Sequence, residues 1–250
     1  MSENYFGSIF FGIARRNDFL SAVHSLLNSL RPEWNRGVFA GDNLITFGKN
    51  LSFRFDKPFM RALEAHAHDG VEKSIIWRTA ILVWAARNGL RRDGDFVECG
   101  CYRGTSARII CDTIDINNTN KAFYLYDMFD YREGSPHAKM PGMCPELYDE
   151  VCQKFASIKR ASVIKGEVPD ILNSVSPDRI SFLHIDMNNA ASEIGALNRL
   201  FERVTPGGMI VLDDYGYLPY RAQRDAERQW FAERGYDVME LPTGQGLVIK

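Results

Sequence analysis

The sequence predicts a doubly wound α/β fold, a mostly parallel sheet covered by helices on both faces. Three observations carry this. From Asp95 onward, short apolar runs alternate with helical stretches. Several of those runs are nearly continuous in apolar residues, as strands buried on both faces require. Polar residues then collect where the runs end: Glu98, Asp127, Asp186, Asp213 and Asp214 each close a run or lie within its last turn. In open α/β sheets, ligands bind beyond the carboxyl ends of the strands.

The runs are 96–100, 122–127, 162–166, 180–186, 208–213, 237–241 and 247–250. Ahead of them, residues 1–73 read as a helical cap, serving as a lid or a subunit contact, and 74–250 as the ligand-binding domain. Asn17 or Asp18 is expected to cap a helix whose Leu20, Val23, Leu27 and Leu30 share a face, with Pro32 ending it. Asp56, Lys57 and Pro58 mark a turn or helix start, in a stretch rich in aromatics (Phe47, Phe53, Phe55, Phe59). A helix over 74–90 is expected to bury Ile75, Ile76, Ala80, Val83 and Trp84 and to stop at Asn88 and Gly89.

The 250 residues are 45% apolar and 25% charged, an ordinary globular composition. A formal charge of −2 gives no basic surplus for nucleic acid, so a small-molecule partner is expected. The apolar run 6–13 precedes Arg15 and Arg16, the wrong order for a secretory signal, and is too short for a membrane span. The five cysteines form no CxxC pair, which disfavours zinc and disulfides and points to a reduced cytoplasmic setting. Cys99 and Cys101 read as small packing residues.

The segment 98–106, ECGCYRGTS, follows the first strand and opens a helix. Gly100 lets the chain turn sharply, and Gly104 is expected to admit a ligand closely. The spacing is neither the dinucleotide G-x-G-x-x-G nor a P-loop. An acid just before the first glycine repels a pyrophosphate and suits a ligand with a free ammonium group. Asp127, ending the next strand, is placed for two ribose hydroxyls. Acid, glycine turn, second acid is the pattern for S-adenosylmethionine.

Asp186 ends one strand and Asp213 and Asp214 the next, so the three carboxylates should share a pocket, because neighbouring strands lie about 4.8 Å apart. Like charges near 4 Å repel by about 4 kcal/mol at an effective dielectric of 20. A proton, a basic partner or a divalent cation must offset that, and an all-oxygen set favours Mg²⁺.

The blocks DFVECGCYRGTSA, FLHIDM, GGMIVLDDYG and PTGQGLVIK, taken together, resemble the macrocin O-methyltransferase (TylF-like) family of class I methyltransferases over residues 77–250. The resemblance implies a Rossmann-like sheet of seven strands with the last antiparallel. It implies that Glu98 and Gly100 meet the methionine portion of the cofactor and that Tyr102, Arg103, Gly104, Thr105 and Ser106 line the loop around it. Asp127 and the neighbouring Phe129 would flank the ribose, with Gly166 and Glu167 near the adenine. Asp186, Asp213 and Asp214 match the metal positions. Asp186 is also expected at the cofactor and, on chemical grounds, as a general base while bound to the metal. Better-known members continue Asp-x-Asp-Leu-Tyr, whereas this chain reads Asp186, Met187, Asn188, Asn189, Ala190, which leaves the acceptor class open.

The expected activity is O-methyl transfer to a sugar or a glycosylated or polyketide-like natural product. N- or C-methyl transfer without metal, a non-catalytic cofactor-binding module and, more distantly, a nicotinamide dehydrogenase are the competing readings. A homodimer is compatible with the aromatic N-terminal region. His184 reads as a packed strand histidine, Tyr215, Tyr217, Tyr220 and Gln223 as an acceptor wall or loop packing, and Arg224, Arg228 and Arg234 as a solvated helix face. Residues 129–137, including His137, read as a lid.

Overall fold

The structure, a computed structural model, describes residues 4–131 and 140–250. The chain forms two compact units, Met1–Ala80 and Ile81–Lys250. His137 and most of the expected lid lie outside the described residues.

The first unit is not purely helical. Strands β1 (Tyr5–Phe6), β2 (Phe39–Gly41) and β3 (Leu44–Thr46) form a small sheet in that order. Asp42 and Asn43 join β2 to β3 with both residues at positive φ, 51° and 57°, the backbone of a tight hairpin turn. Runs of two or three residues are too short to show a two-residue period, which is why the sequence reads there as irregular. Asp42 also makes a bidentate pair with Arg78, at 2.7 and 2.8 Å, with both side chains buried.

Helix α1 (Arg16–Asn28) is preceded by Arg15 as its cap residue, so Asn17 and Asp18 sit inside the first turn and neither caps. Asp18 pairs with Arg15 instead, at 3.2 Å. Leu27 is the buried residue of that helix, and Leu20 is exposed. Helix α2 (Lys57–His66) starts as expected, with the Asp56 side chain accepting the Phe59 N–H at 3.2 Å. Phe59 and Phe53 pack with Phe39 and Trp77, whereas Phe47 and Phe55 stay exposed. The helix expected over 74–90 is α4 (Ile76–Gly89), preceded by the short α3 (Gly70–Ser74). Trp84 is exposed, and Leu82, Ala85 and Ala86 are buried alongside Ile76 and Val83. A helix apolar on nearly every side offers no stripe from which to choose the buried face.

The second unit strings together β4 (Asp95–Cys99), α5 (Thr105–Ile114), β5 (Phe123–Asp127), α6 (Leu147–Phe155), β6 (Ala161–Lys165), β7 (Ile180–Ile185), α7 (Ala190–Leu200), β8 (Val204–Leu212), α8 (Arg221–Ala232), β9 (Met239–Glu240) and β10 (Gly246–Ile249). All seven expected strands are present, in the order β6-β5-β4-β7-β8-β10-β9. Strands β4 to β8 pair in parallel, and β10 is antiparallel to β8 and β9.

Alternation along the strands fills two cores. Phe96, Phe123 and Phe182 meet edge-on on one face, with ring centroids 5.5–6.2 Å apart. Val97, Leu183, Ile185, Ile210 and Leu212 build the other with Leu197 and Phe231. The chain winds outward from β4 through β5 and β6, then crosses to β7 and β8. The switch point is therefore the crevice between the ends of β4 and β7. Among the described residues, no helix is long and apolar enough to cross a membrane.

Candidate active site at the strand ends

Strand register brings the site together. Cys99 pairs with Tyr126 on one side and Ile185 on the other, and Ile185 pairs with Leu212. The residue pairing with Cys99 or following a paired one therefore puts Asp127, Gly100, Asp186 and Asp213 along one edge of the sheet. Two residues earlier, Glu98 and His184 are direct cross-strand partners.

Four of these strands are followed closely by a non-glycine residue at positive φ: Tyr102 (47°), Phe129 (58°), Asn188 (56°) and Asp214 (56°). Each costs about 1–3 kcal/mol and persists only where its surroundings hold it. One carboxylate holds two of them. Asp127 Oδ2 accepts the Tyr102 N–H and Oδ1 accepts the Phe129 N–H, both at 2.7 Å. A carboxylate oxygen has two lone pairs, and recognition of a ribose diol uses acceptors of this kind.

A cavity opens above this row, lined by Gly100, Tyr102, Asp127, Gly166 and Asp186 among the predicted cofactor residues. The others lie elsewhere. Glu98 is buried below it, with Oε1 2.7 Å from His184 Nδ1. A Cβ at Gly104 would meet the Phe155 ring at 2.6 Å, so this glycine gives that ring close approach to the backbone. Arg103 stacks over the Tyr102 ring at 5.1 Å and donates to the Pro141 carbonyl. Thr105 Oγ1 accepts from Lys154, and with Ser106 it opens helix α5. Phe129 is buried against Tyr148, and Glu167 points to solvent between cavity residues Gly166 and Val168.

The three aspartates do converge. Asp186, Asp213 and Asp214 each offer a carboxylate oxygen, and those oxygens lie within 4.8 Å of one another. Burial and the charge of Asp213 push the Asp186 carboxyl well above the usual carboxylate range, against the opposing pull of His184. Burial works against a charged imidazole, yet the hydrogen bond and charge of Glu98, helped by Asp186 and Asp213, raise His184 to about 9. A cationic His184 is thus one of the offsets that the acid cluster needs. Hard oxygen donors at this spacing also fit Mg²⁺ or a similar divalent cation.

Residues 97–215 match the methyltransferase-domain family. The sheet unit has the Rossmann-like fold of class I methyltransferases. Its fold is shared with solved structures at low identity. The O-methyltransferase NovP superposes with a TM-score of 0.59 at 19% identity, over 74% of this chain and 83% of that one. CalS11, described as a TDP-rhamnose 3′-O-methyltransferase, gives 0.57 at 11% over 97% of both chains. The S-adenosylhomocysteine-bound methyltransferase PaMTH1 of Podospora anserina gives 0.54 at 14%, over 98% of this chain and 99% of that one. Among curated proteins, none matches this chain.

The cavity is also lined by residues outside the predicted set. Met128, Met140, Met143 and Met187 line the cavity with Tyr126 and Tyr131, and nothing in their spacing marks them. The residues after Asp213 divide: Tyr215 is packed in the core, and Gln223 is buried with its amide donating to the Asp213 carbonyl at 3.1 Å. Arg224 pairs with Asp225 and Glu240, while Arg234 lies over the Trp230 ring at 3.7 Å. Cys99, Cys101 and Cys111 are buried, and burial pushes their thiols up, so they are packing groups.

Proposed function

We propose that this methyltransferase acts on oxygen, with a divalent cation such as Mg²⁺ held by Asp186, Asp213 and Asp214. The acceptor is a hydroxyl of a sugar or of a glycosylated or polyketide-like natural product, in the manner of the TylF-like family. The observation that carries this reading is the convergence of three carboxylate oxygens within 4.8 Å, with Asp186 on the cavity wall. The descriptions of NovP and CalS11 as O-methyltransferases agree with it.

Bound there, the cation would supply Lewis acidity that lowers the pKa of the acceptor hydroxyl. The chain's own residues do the positioning. Asp127 and the loop it fixes hold the nucleoside end of the cofactor, while Gly100 and Met187 line the cavity toward Asp186. Asp186, at the meeting of cofactor cavity and acid cluster, is placed to take the hydroxyl proton. Methyl transfer asks little more than an in-line approach, so orientation dominates the rate.

A metal-free reading, with nitrogen or carbon as acceptor, draws on His184, whose charge already offsets part of the carboxylate repulsion. The two readings separate in an assay of S-adenosylhomocysteine formation against a panel of sugars, glycosides, phenols and amines. Turnover on a hydroxyl acceptor, lost in excess chelator and restored by Mg²⁺ or Mn²⁺, is the expected result. Undiminished transfer in chelator removes the metal role.

A further inference from the structure

The wall of the cavity beside Gly100 is the turn Met187–Asn188, and its hold on the fold comes from two carboxyl groups, one at the start of α7 and one on α8. Glu193, in the first turn of α7, accepts the N–H of Met187 at 3.0 Å and of Asn188 at 3.1 Å on the same oxygen, Oε1. Asn188 stands at φ 56°, so those two bonds fix a residue that would otherwise relax out of the left-handed region. Both Met187 and Asn188 line the cavity, and a Cβ built on Gly100 would meet Met187 Cγ at 3.2 Å.

Glu193 is completely buried, and so is Glu227 of α8, which faces it. Two buried carboxyls lie together at least cost when they share a proton. Burial raises both, and the charge and hydrogen bond of Glu227 raise Glu193 further, while the bond to Glu193 works in the opposite sense on Glu227. Taking two such groups out of water is a poor way to gain stability, since apolar side chains of similar size serve as well or better. Their use here is geometric: a carboxyl oxygen accepts two N–H groups at once, which no apolar side chain does.

We infer that Glu193, backed by Glu227, is a positioning residue for the cofactor cavity, setting the Met187–Asn188 turn beside Gly100 and Asp186. The inference rests on the reading of this cavity as the S-adenosylmethionine site, and neither glutamate touches the ligand itself.

The test pairs two readouts on the full chain carrying Glu193→Ala, Glu193→Asp and Glu193→Gln. Amide hydrogen exchange at Met187 and Asn188 reports the turn without any ligand, and calorimetric titration with S-adenosylhomocysteine reports the cavity. In Glu193→Ala, exchange at those two amides should quicken by about tenfold or more, with strand β7 still protected, and affinity should drop by about the same factor. Glu193→Gln keeps an oxygen that accepts both N–H groups and gains an amide that donates to Glu227, so it should stay within about threefold of wild type on both readouts. If the alanine variant does not fold, Glu193→Asp, which withdraws the acceptor by one methylene, carries the same expectation. Unchanged exchange at Met187 and Asn188 in a folded Ala or Asp variant overturns the inference, as does a Gln variant damaged as badly as Ala. Quickened exchange in a protein whose wild type does not bind S-adenosylhomocysteine upholds the positioning role and refutes the cofactor reading instead.

Discussion

Gly100→Ala is expected to destroy the cofactor site and to cost the protein about 3 kcal/mol or more of stability. A Cβ at this position would lie 1.7 Å from the Asp186 carbonyl oxygen and 2.6 Å from its carbonyl carbon. Both are backbone atoms of the adjoining strand end, so no side chain can swing away to make room. The residue also stands at φ 93°, where any L side chain is strained. Relief requires the ends of β4 and β7 to part, and those ends carry both Asp186 and the loop fixed by Asp127. Thermal melting together with titration of S-adenosylhomocysteine checks this: affinity should fall by about 100-fold or more in whatever fraction folds. A folded alanine variant with wild-type affinity would show that strand spacing at Gly100 does not define the cavity. Gly104→Ala makes a useful contrast, because its obstacle is the Phe155 ring, a side chain between α5 and α6. The damage there should fall on packing before it reaches the ligand.

Asp186→Asn separates chemistry from binding. The amide keeps the size of the carboxyl but loses its charge, its strength as a metal ligand and its ability to take a proton. Methyl transfer to a hydroxyl acceptor should fall by about 10²–10⁴-fold, the range for loss of a general base. Mn²⁺ binding, followed by electron paramagnetic resonance, should be lost in parallel. Affinity for S-adenosylhomocysteine should stay within about threefold of wild type, since Asp127 and the Gly100 turn are untouched. Retained transfer would remove Asp186 from the reaction, and retained Mn²⁺ binding would remove it from the metal site.

Much of the second unit is legible in the sequence because parallel strands buried on both faces announce themselves as apolar runs. β7 is the clearest case: all six of its residues are buried, and the sequence reads ISFLHI. Acids at the ends of such runs stand out for the same reason, which is how Asp127, Asp186 and Asp213 become visible. What stays hidden depends on pairing between distant residues. Glu98 reads as a ligand contact because it precedes a glycine, but cross-strand register gives it His184 as its partner. Glu193 and Glu227 sit on different helices, and no motif in the sequence marks them before α7 and α8 are packed together. Gly104 reads as a ligand glycine because a sequence does not say what will fill the space above it. Phe155, on another helix, fills it. In the first unit, strands of two and three residues fall below what periodicity resolves.

S-adenosylmethionine is expected in the cavity above Gly100 and Asp127, with its sulfur end turned toward the aspartate cluster. A crystal structure of the protein grown with S-adenosylhomocysteine and Mn²⁺ tests it most directly. The expected result is ribose hydroxyls on Asp127, the amino-acid end beside Gly100, and anomalous density for the ion among Asp186, Asp213 and Asp214. Cofactor density elsewhere, or an empty cavity at saturating ligand, would contradict it.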